Sequence, residues 1–177
     1  MIYGLNNALN LRALNLSNTH LTNSQDFANL TQLTELHLSD LAMPGMELLT
    51  IAQQNSQLTI LSLSNVDLKG QYFSGDSWPM LSKLDVSHTG IIDFYTMSSL
   101  ETLNLSGNQL TNVATLQMQH SLQSLDLSGN SDLSFAEIDT VIRNNPQLTE
   151  LGLSDIQVGA FPIYMTAMGL PYRFTRL

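Results

Sequence analysis

The chain has 177 residues, 43% of them hydrophobic, and 15 acidic against 6 basic side chains give a formal net charge of −9. So few Lys and Arg leave almost nothing to cluster into the basic patch that phosphate binding needs, which makes nucleic acid and anionic membrane surfaces poor candidates and a basic protein surface a better one. There is no cysteine, which excludes disulfides, Fe–S clusters, Cys-based zinc sites and a thiol nucleophile, and no apolar run approaches the roughly 20 residues of a membrane span.

Residues 1–10 include Ile2, Tyr3, Leu5 and Leu9, and the start from Met1 to Leu14 does not read as the basic and apolar regions of a signal peptide. They read as a partial N-terminal repeat or a cap. From Leu11 one phrase recurs, Leu-x-x-Leu-x-Leu/Val-Ser, beginning at Leu11, Leu33, Leu58, Leu81, Leu100, Leu122 and Leu148. The intervals are 22, 25, 23, 19, 22 and 26 residues. One copy cannot bury its own apolar side, so neighbouring copies must stack into a solenoid. Within a copy the period is two: Leu36 and Leu38 alternate with Glu35, His37 and Ser39. Each copy is therefore a short strand with leucines inward, and the strands form one continuous parallel sheet. Parallel strands joined the same way each time require a return over the opposite side.

The returns differ in length and are predicted to differ in structure. After the second copy, Pro44-Gly45 opens a stretch to Asn55 in which Met46, Leu48, Leu49, Ile51 and Ala52 fall at helical spacing. After the third, Tyr72, Phe73 and Trp78 lie in a Gly- and Pro-punctuated loop. These aromatics, with Tyr95, are candidate interface anchors; packing of Phe73 and Trp78 into the return-side core is the preferred reading, because large aromatics are mostly buried. The shortest interval, with Gly90 to Tyr95, is predicted to be extended or a single turn. After the sixth copy, Ser134 and Glu137 form a capping box ahead of Phe135, Ile138, Val141 and Ile142, and Pro146 stops the helix. Residues 159–177 read as a C-terminal cap or a truncated repeat, with 170–177 a candidate eighth strand. The whole of 1–177 is thus expected to be a single repeat domain.

At these residues the chain resembles the leucine-rich-repeat family, over roughly residues 5–160. Seven in-phase copies carry the resemblance. The family consensus continues to an Asn, which Asn108 and Asn130 supply in the fifth and sixth copies, while Thr19, Leu41, Val66, Thr89 and Ile156 stand there in the others. The resemblance implies that this Asn bonds backbone groups of adjacent turns. It also implies an α/β solenoid, a right-handed superhelix with its parallel sheet on the concave face and mixed helices and extended turns on the convex face. Irregular repeats of 19–26 residues and the Asn, Gln, Met and Thr bias look like the bacterial type.

By the same analogy the solvent side of the sheet is the contact surface. The pattern predicts rows running across the repeats. One row is Ala13, Glu35, Ile60, Lys83, Thr102, Ser124 and Glu150; a second is Asn15, His37, Ser62, Asp85, Asn104, Asp126 and Gly152. A third holds Asn18, Asp40, Asn65, His88, Gly107, Gly129 and Asp155. The candidate partner-binding residues drawn from them are Glu35, His37, Asp40, Ile60, Lys83, Asp85, His88, Asn104, Asp126, Glu150 and Asp155. Most charges there are acidic, which steers cationic partners, although charge also serves solubility. A fourth row, Ser17, Ser39, Ser64, Ser87, Ser106, Ser128 and Ser154, reads as turn serines bonding backbone locally rather than as a binding ladder.

No catalytic residue, cofactor or metal site is expected. His37 and His88 lie two repeats apart, roughly 10 Å by strand spacing, too far to share a metal. Asp85 and Asp126, similarly spaced, lack the cleft and sugar-stacking aromatics of a glycosidase. The expected function is non-catalytic protein–protein recognition through the concave face, with a structural spacer inside a larger bacterial surface or effector protein as the alternative. A secreted or cell-surface bacterial location is favoured over a cytoplasmic one.

Overall fold

Every copy of the repeated phrase forms a three-residue strand. In the computed structural model, which describes residues 5–95, 97–156 and 173–174, these are β1 (Ala13–Asn15), β2 (Glu35–His37), β3 (Ile60–Ser62), β5 (Lys83–Asp85), β7 (Thr102–Asn104), β8 (Ser124–Asp126) and β9 (Glu150–Gly152). They pair in that order, all parallel, and a short strand β10 (Arg173–Phe174) adds to β9 as the eighth member. Pairing is in phase from copy to copy: Leu14, Leu36, Leu61, Leu84, Leu103, Leu125 and Leu151 face each other across the sheet. Slipping one residue would turn every leucine to solvent, so the apolar pattern fixes the register.

Entry into each strand follows one rule. The carbonyl of Thr34 accepts the N–H groups of both Thr59 and Ile60, and that of Thr59 those of Ser82 and Lys83. The same paired bonds recur at Arg12, Ser82, Glu101 and Gln123. The first and third leucines of the phrase line the same interior: Leu33, Leu58, Leu81, Leu100 and Leu122 are wholly buried, as are Leu38, Leu63, Val86, Leu105 and Leu127. Burying each leucine is worth about 1.5–3 kcal/mol relative to leaving it exposed, and stacking is what buries it.

The returns vary as their lengths predict. The long ones carry helices α1 (Gly45–Gln53) and α2 (Phe135–Asn144), and shorter ones carry 3-10 turns at Ser24–Asp26 and Ala114–Met118. In α1, Leu48, Leu49, Ile51 and Ala52 face the core, but Met46 does not; it is 51% exposed. It shares the side of α1 with exposed Thr50, four residues on, at the edge of the buried stripe. The capping box of α2 is present: Ser134 Oγ accepts from Glu137 N, and the Glu137 carboxylate accepts from Ser134 N. The shortest return is extended. A strand of the preceding return, β4 (Tyr72–Phe73), and β6 (Asp93–Phe94) of this one pair in parallel as a second, two-stranded sheet on the convex side. Phe73 and Phe94 turn inward and stack, ring centroids 6.2 Å apart, and Phe73 also stacks on Trp78 at 5.6 Å. Trp78 is 2% exposed and donates its indole N–H to Ala52 O at 3.0 Å. Phe73 and Trp78 are therefore core, and only Tyr72 and Tyr95 of the four aromatics reach solvent.

Candidate functional site

The concave face is built by the residues that flank the central leucine of each strand. Strand pairing sets Glu35, Ile60, Lys83, Thr102, Ser124 and Glu150 in one row and His37, Ser62, Asp85, Asn104 and Asp126 in the next, in the order read from the sequence. Every candidate residue is at least partly exposed. Near the middle of the sheet the face dips into a shallow depression of about 390 Å³, lined by His37, Ile60, Ser62, Lys83, Asp85, Thr102 and Asn104. Ile60 supplies an apolar floor among polar and charged groups. The structure thus brings five candidates, His37, Ile60, Lys83, Asp85 and Asn104, onto one concavity spanning four strands. Glu35 joins them through its carboxylate, which meets His37 Nε2 at 2.9 Å. Lys83 has no acidic partner among the described residues.

Asp126, Glu150, Asp40, His88 and Asp155 lie outside the depression. Three of these, with Asn18 and Asn65, have a backbone reason for their identity. Asp40, His88 and Asp155 hold φ of 58°, 54° and 56°, and Gly107 and Gly129 take the equivalent places in their copies. The left-handed region is one that Asn, Asp and His enter more readily than other non-glycine residues. The third row is thus the rim where each strand turns, not a part of the strand face. Gly107 suits its place on two counts: its φ is positive, and a Cβ would lie 2.0 Å from the His88 ring, which would have to shift.

Two of the acidic candidates also hold the fold. Asp85 Oδ1 accepts from Ser87 N at 3.0 Å and from Ser87 Oγ at 2.7 Å, and Asp126 Oδ1 accepts from Ser128 N at 2.9 Å. Asn15 and Asn104 cap Ser17 and Ser106 in the same manner. This is the Asx-turn, which an aspartate or an asparagine makes equally well. The serines complete it in the next turn, as Ser17 Oγ accepts from Ser39 N and Ser39 Oγ from Ser64 N. The serine row is structural, and it bonds across turns as well as locally.

The family asparagines do what the resemblance implied. Asn108 Oδ1 accepts from Thr89 N and Gly90 N, and its amide donates to Val86 O and Leu105 O. Asn130 bonds Leu105 O, Leu127 O and Leu110 N. Thr89 substitutes in part by donating to Val86 O. A second set of buried amides escaped the sequence reading. Asn55 accepts from Leu33 N, Asn145 donates to Leu116 O, and the Gln119 amide, with its nitrogen toward the Met97 carbonyl, pairs with both backbone groups of Met97. All three are wholly buried and each stands three residues before the first leucine of a copy, a signal the sequence does display. Among the described residues no three His, Asp or Glu side chains cluster closely enough to hold a metal ion.

The family model for two copies of the leucine-rich repeat matches residues 98–137, the Asn108 and Asn130 copies. A search of curated proteins finds no match. Among solved structures, internalin C2 from Listeria monocytogenes is similar, with a TM-score of 0.67 at 22% identity over 92% of this chain and 80% of that one. A leucine-rich-repeat protein of Leptospira interrogans gives 0.65 at 25% identity, covering 98% of this chain and 44% of that one. The functional domain of InlJ from Listeria monocytogenes, which includes a cysteine ladder, gives 0.63 at 19% identity over 92% of this chain and 39% of that one. This chain has no cysteine, and its ladders are of asparagine and serine instead. Repeat phrase and fold agree: the chain folds as a leucine-rich-repeat solenoid with irregular repeats, and the family model matches two of its copies.

Proposed function

We propose that this protein is a non-catalytic recognition module that grips a partner protein on the concave face, centred on Ile60, Lys83 and Asp85. The fold commonly serves protein–protein interaction, which is an analogy at the level of fold. The observation that carries the reading to this surface is the depression itself, in which Ile60, with Leu61 and Leu84 beneath, is ringed by His37, Lys83, Asp85, Thr102 and Asn104. An apolar floor inside a polar rim is the usual anatomy of a binding patch. Asp85, Asp126, Glu150 and Glu35 outnumber Lys83 on the two rows, so the partner presents a basic surface. The likeness to internalin structures supports a secreted or surface location in a bacterium. No helix among the described residues is long and apolar enough to cross a membrane.

Charge reversal is a poor test, because it would also break the Asx-turns at Ser87 and Ser128. Asp85→Asn with Asp126→Asn removes both charges and keeps the acceptor oxygens, as Asn104 already does. Partners captured from bacterial and host extracts are compared for the natural chain, this double variant and Ile60→Asp. The reading expects one partner whose capture falls about tenfold in each variant and on raising ionic strength from about 0.05 M to about 0.3 M. Equal capture by all three proteins would remove the concave face from the function. The competing reading, a spacer in a larger surface or effector protein, draws support from chains more than twice as long among the similar structures. It expects no partner to depend on these residues.

A further inference from the structure

We infer a second binding surface, on the convex side, that takes an arginine or lysine side chain of a partner protein between Tyr72, Tyr95, Asp93 and Asp132. It begins with β4 and β6. Strand alternation that sends Phe73 and Phe94 into the core sends Tyr72 and Asp93, register partners across the pair, to solvent. Tyr95 follows in extended backbone, its N–H bonded to Phe73 O at 2.9 Å. The two tyrosines are 59% and 46% exposed, the largest aromatic area that the described surface offers. Their rings meet at 6.1 Å with 57° between planes. Beside Tyr72 a groove of about 480 Å³ opens, walled by Ile92, Asp93, Gln109, Thr111 and Asp132.

Chemistry selects the occupant. Neither Asp93 nor Asp132 has a basic partner among the described residues. Asp93 uses Oδ1 to accept from Phe94 N, and its other oxygen has no hydrogen bond to the described residues. Two uncompensated carboxylates on a chain of net charge −9 repel phosphates and acidic peptides. Tilted rings do not form the flat platform on which a pyranose stacks, but they do present an electron-rich face and hydroxyls to a cation. A guanidinium fits best: it is planar, weakly hydrated, stacks on tyrosine and donates in a fork to carboxylate and amide oxygens. Asp132, Gln109 and Thr111 supply acceptors along the groove for the backbone that carries it. This surface shares no residue with the concave depression, so each stands or falls separately.

The test uses acetyl-arginine-N-methylamide and an amidated tetra-arginine peptide, titrated into the full chain while NMR follows the backbone amides, the tyrosine rings and the indole N–H of Trp78. Saturable shifts are expected at Tyr72 and Tyr95, with the buried Trp78 signal unmoved. Tyr72→Ala with Tyr95→Ala, and separately Asp93→Asn with Asp132→Asn, should each weaken the tetra-arginine affinity about tenfold, as losing two cation–aromatic or two charged contacts implies. Asp93→Asn keeps the acceptor for Phe94 N, and the Trp78 resonance reports that each variant is folded. Concave Asp85→Asn with Asp126→Asn should leave the tyrosine shifts unchanged. Shifts confined to the concave residues, or affinities unaltered in both convex variants, would overturn the inference. So would tyrosine shifts with cellotriose and none with arginine, which would make the groove a sugar site.

Discussion

Replacing Asn108 with Ala should cost this protein about 2–4 kcal/mol, and the figure follows from counting which partners are stranded. The amide makes four contacts to main chain. Two survive its loss in effect, since Val86 O still accepts from Thr89 Oγ1 and Leu105 O from the Asn130 amide. The N–H groups of Thr89 and Gly90 have no other acceptor among the described residues. A buried donor left unsatisfied costs about 1–3 kcal/mol, with the half-buried Gly90 at the low end because water reaches it. A smaller cavity term adds to this at a site 5% exposed. Against total stabilities of about 5–15 kcal/mol the loss is severe, and it corresponds to roughly 5–15 °C in Tm for a chain of this size. Urea unfolding followed by Trp78 fluorescence and by far-ultraviolet circular dichroism measures it, and coincident midpoints establish that the solenoid unfolds as a unit. Asn130→Ala strands one donor, Leu110 N, and one carbonyl, Leu127 O. Carbonyls tolerate under-satisfaction better than N–H groups, so this variant should lose about 1 kcal/mol less. A cost below about 1 kcal/mol at Asn108, or a larger one at Asn130, would refute the reasoning.

Two further stability predictions test the returns. Trp78→Phe keeps a ring stacked on Phe73 and leaves Ala52 O still accepting from Asn55 N, so the cost of about 1–3 kcal/mol comes from the lost indole bond and the space the larger ring filled; tyrosine fluorescence or circular dichroism in urea replaces the lost indole signal. Ser134→Ala removes the acceptor for Glu137 N at the start of α2 and should cost about 1 kcal/mol, read as a lowered midpoint with an unchanged slope in the same titration. A neutral Ser134→Ala would mean that α2 is held by its buried face, Ile138, Val141 and Ile142, and not by its cap.

The sequence by itself determined the ladder. A leucine phrase repeated in phase allows one pairing, because any slip exposes a whole apolar row, so the alignment of Leu14 through Leu151 and the two concave rows were legible before any coordinates. Length and local chemistry likewise announced α1, the capping box of α2 and the extended return at Asp93. Tertiary structure alone decided what each polar residue on those rows is for. Whether Asp85 reaches solvent or its own Ser87 depends on the turn that follows the strand, and whether Asp40, His88 and Asp155 lie on the face or the rim depends on a left-handed backbone. The roles of Asn55, Gln119 and Asn145, and the meeting of Tyr72 with Tyr95, join residues about one repeat apart. Such contacts depend on the offset with which one turn stacks on the next, and repeats of unequal length set that offset afresh at every step.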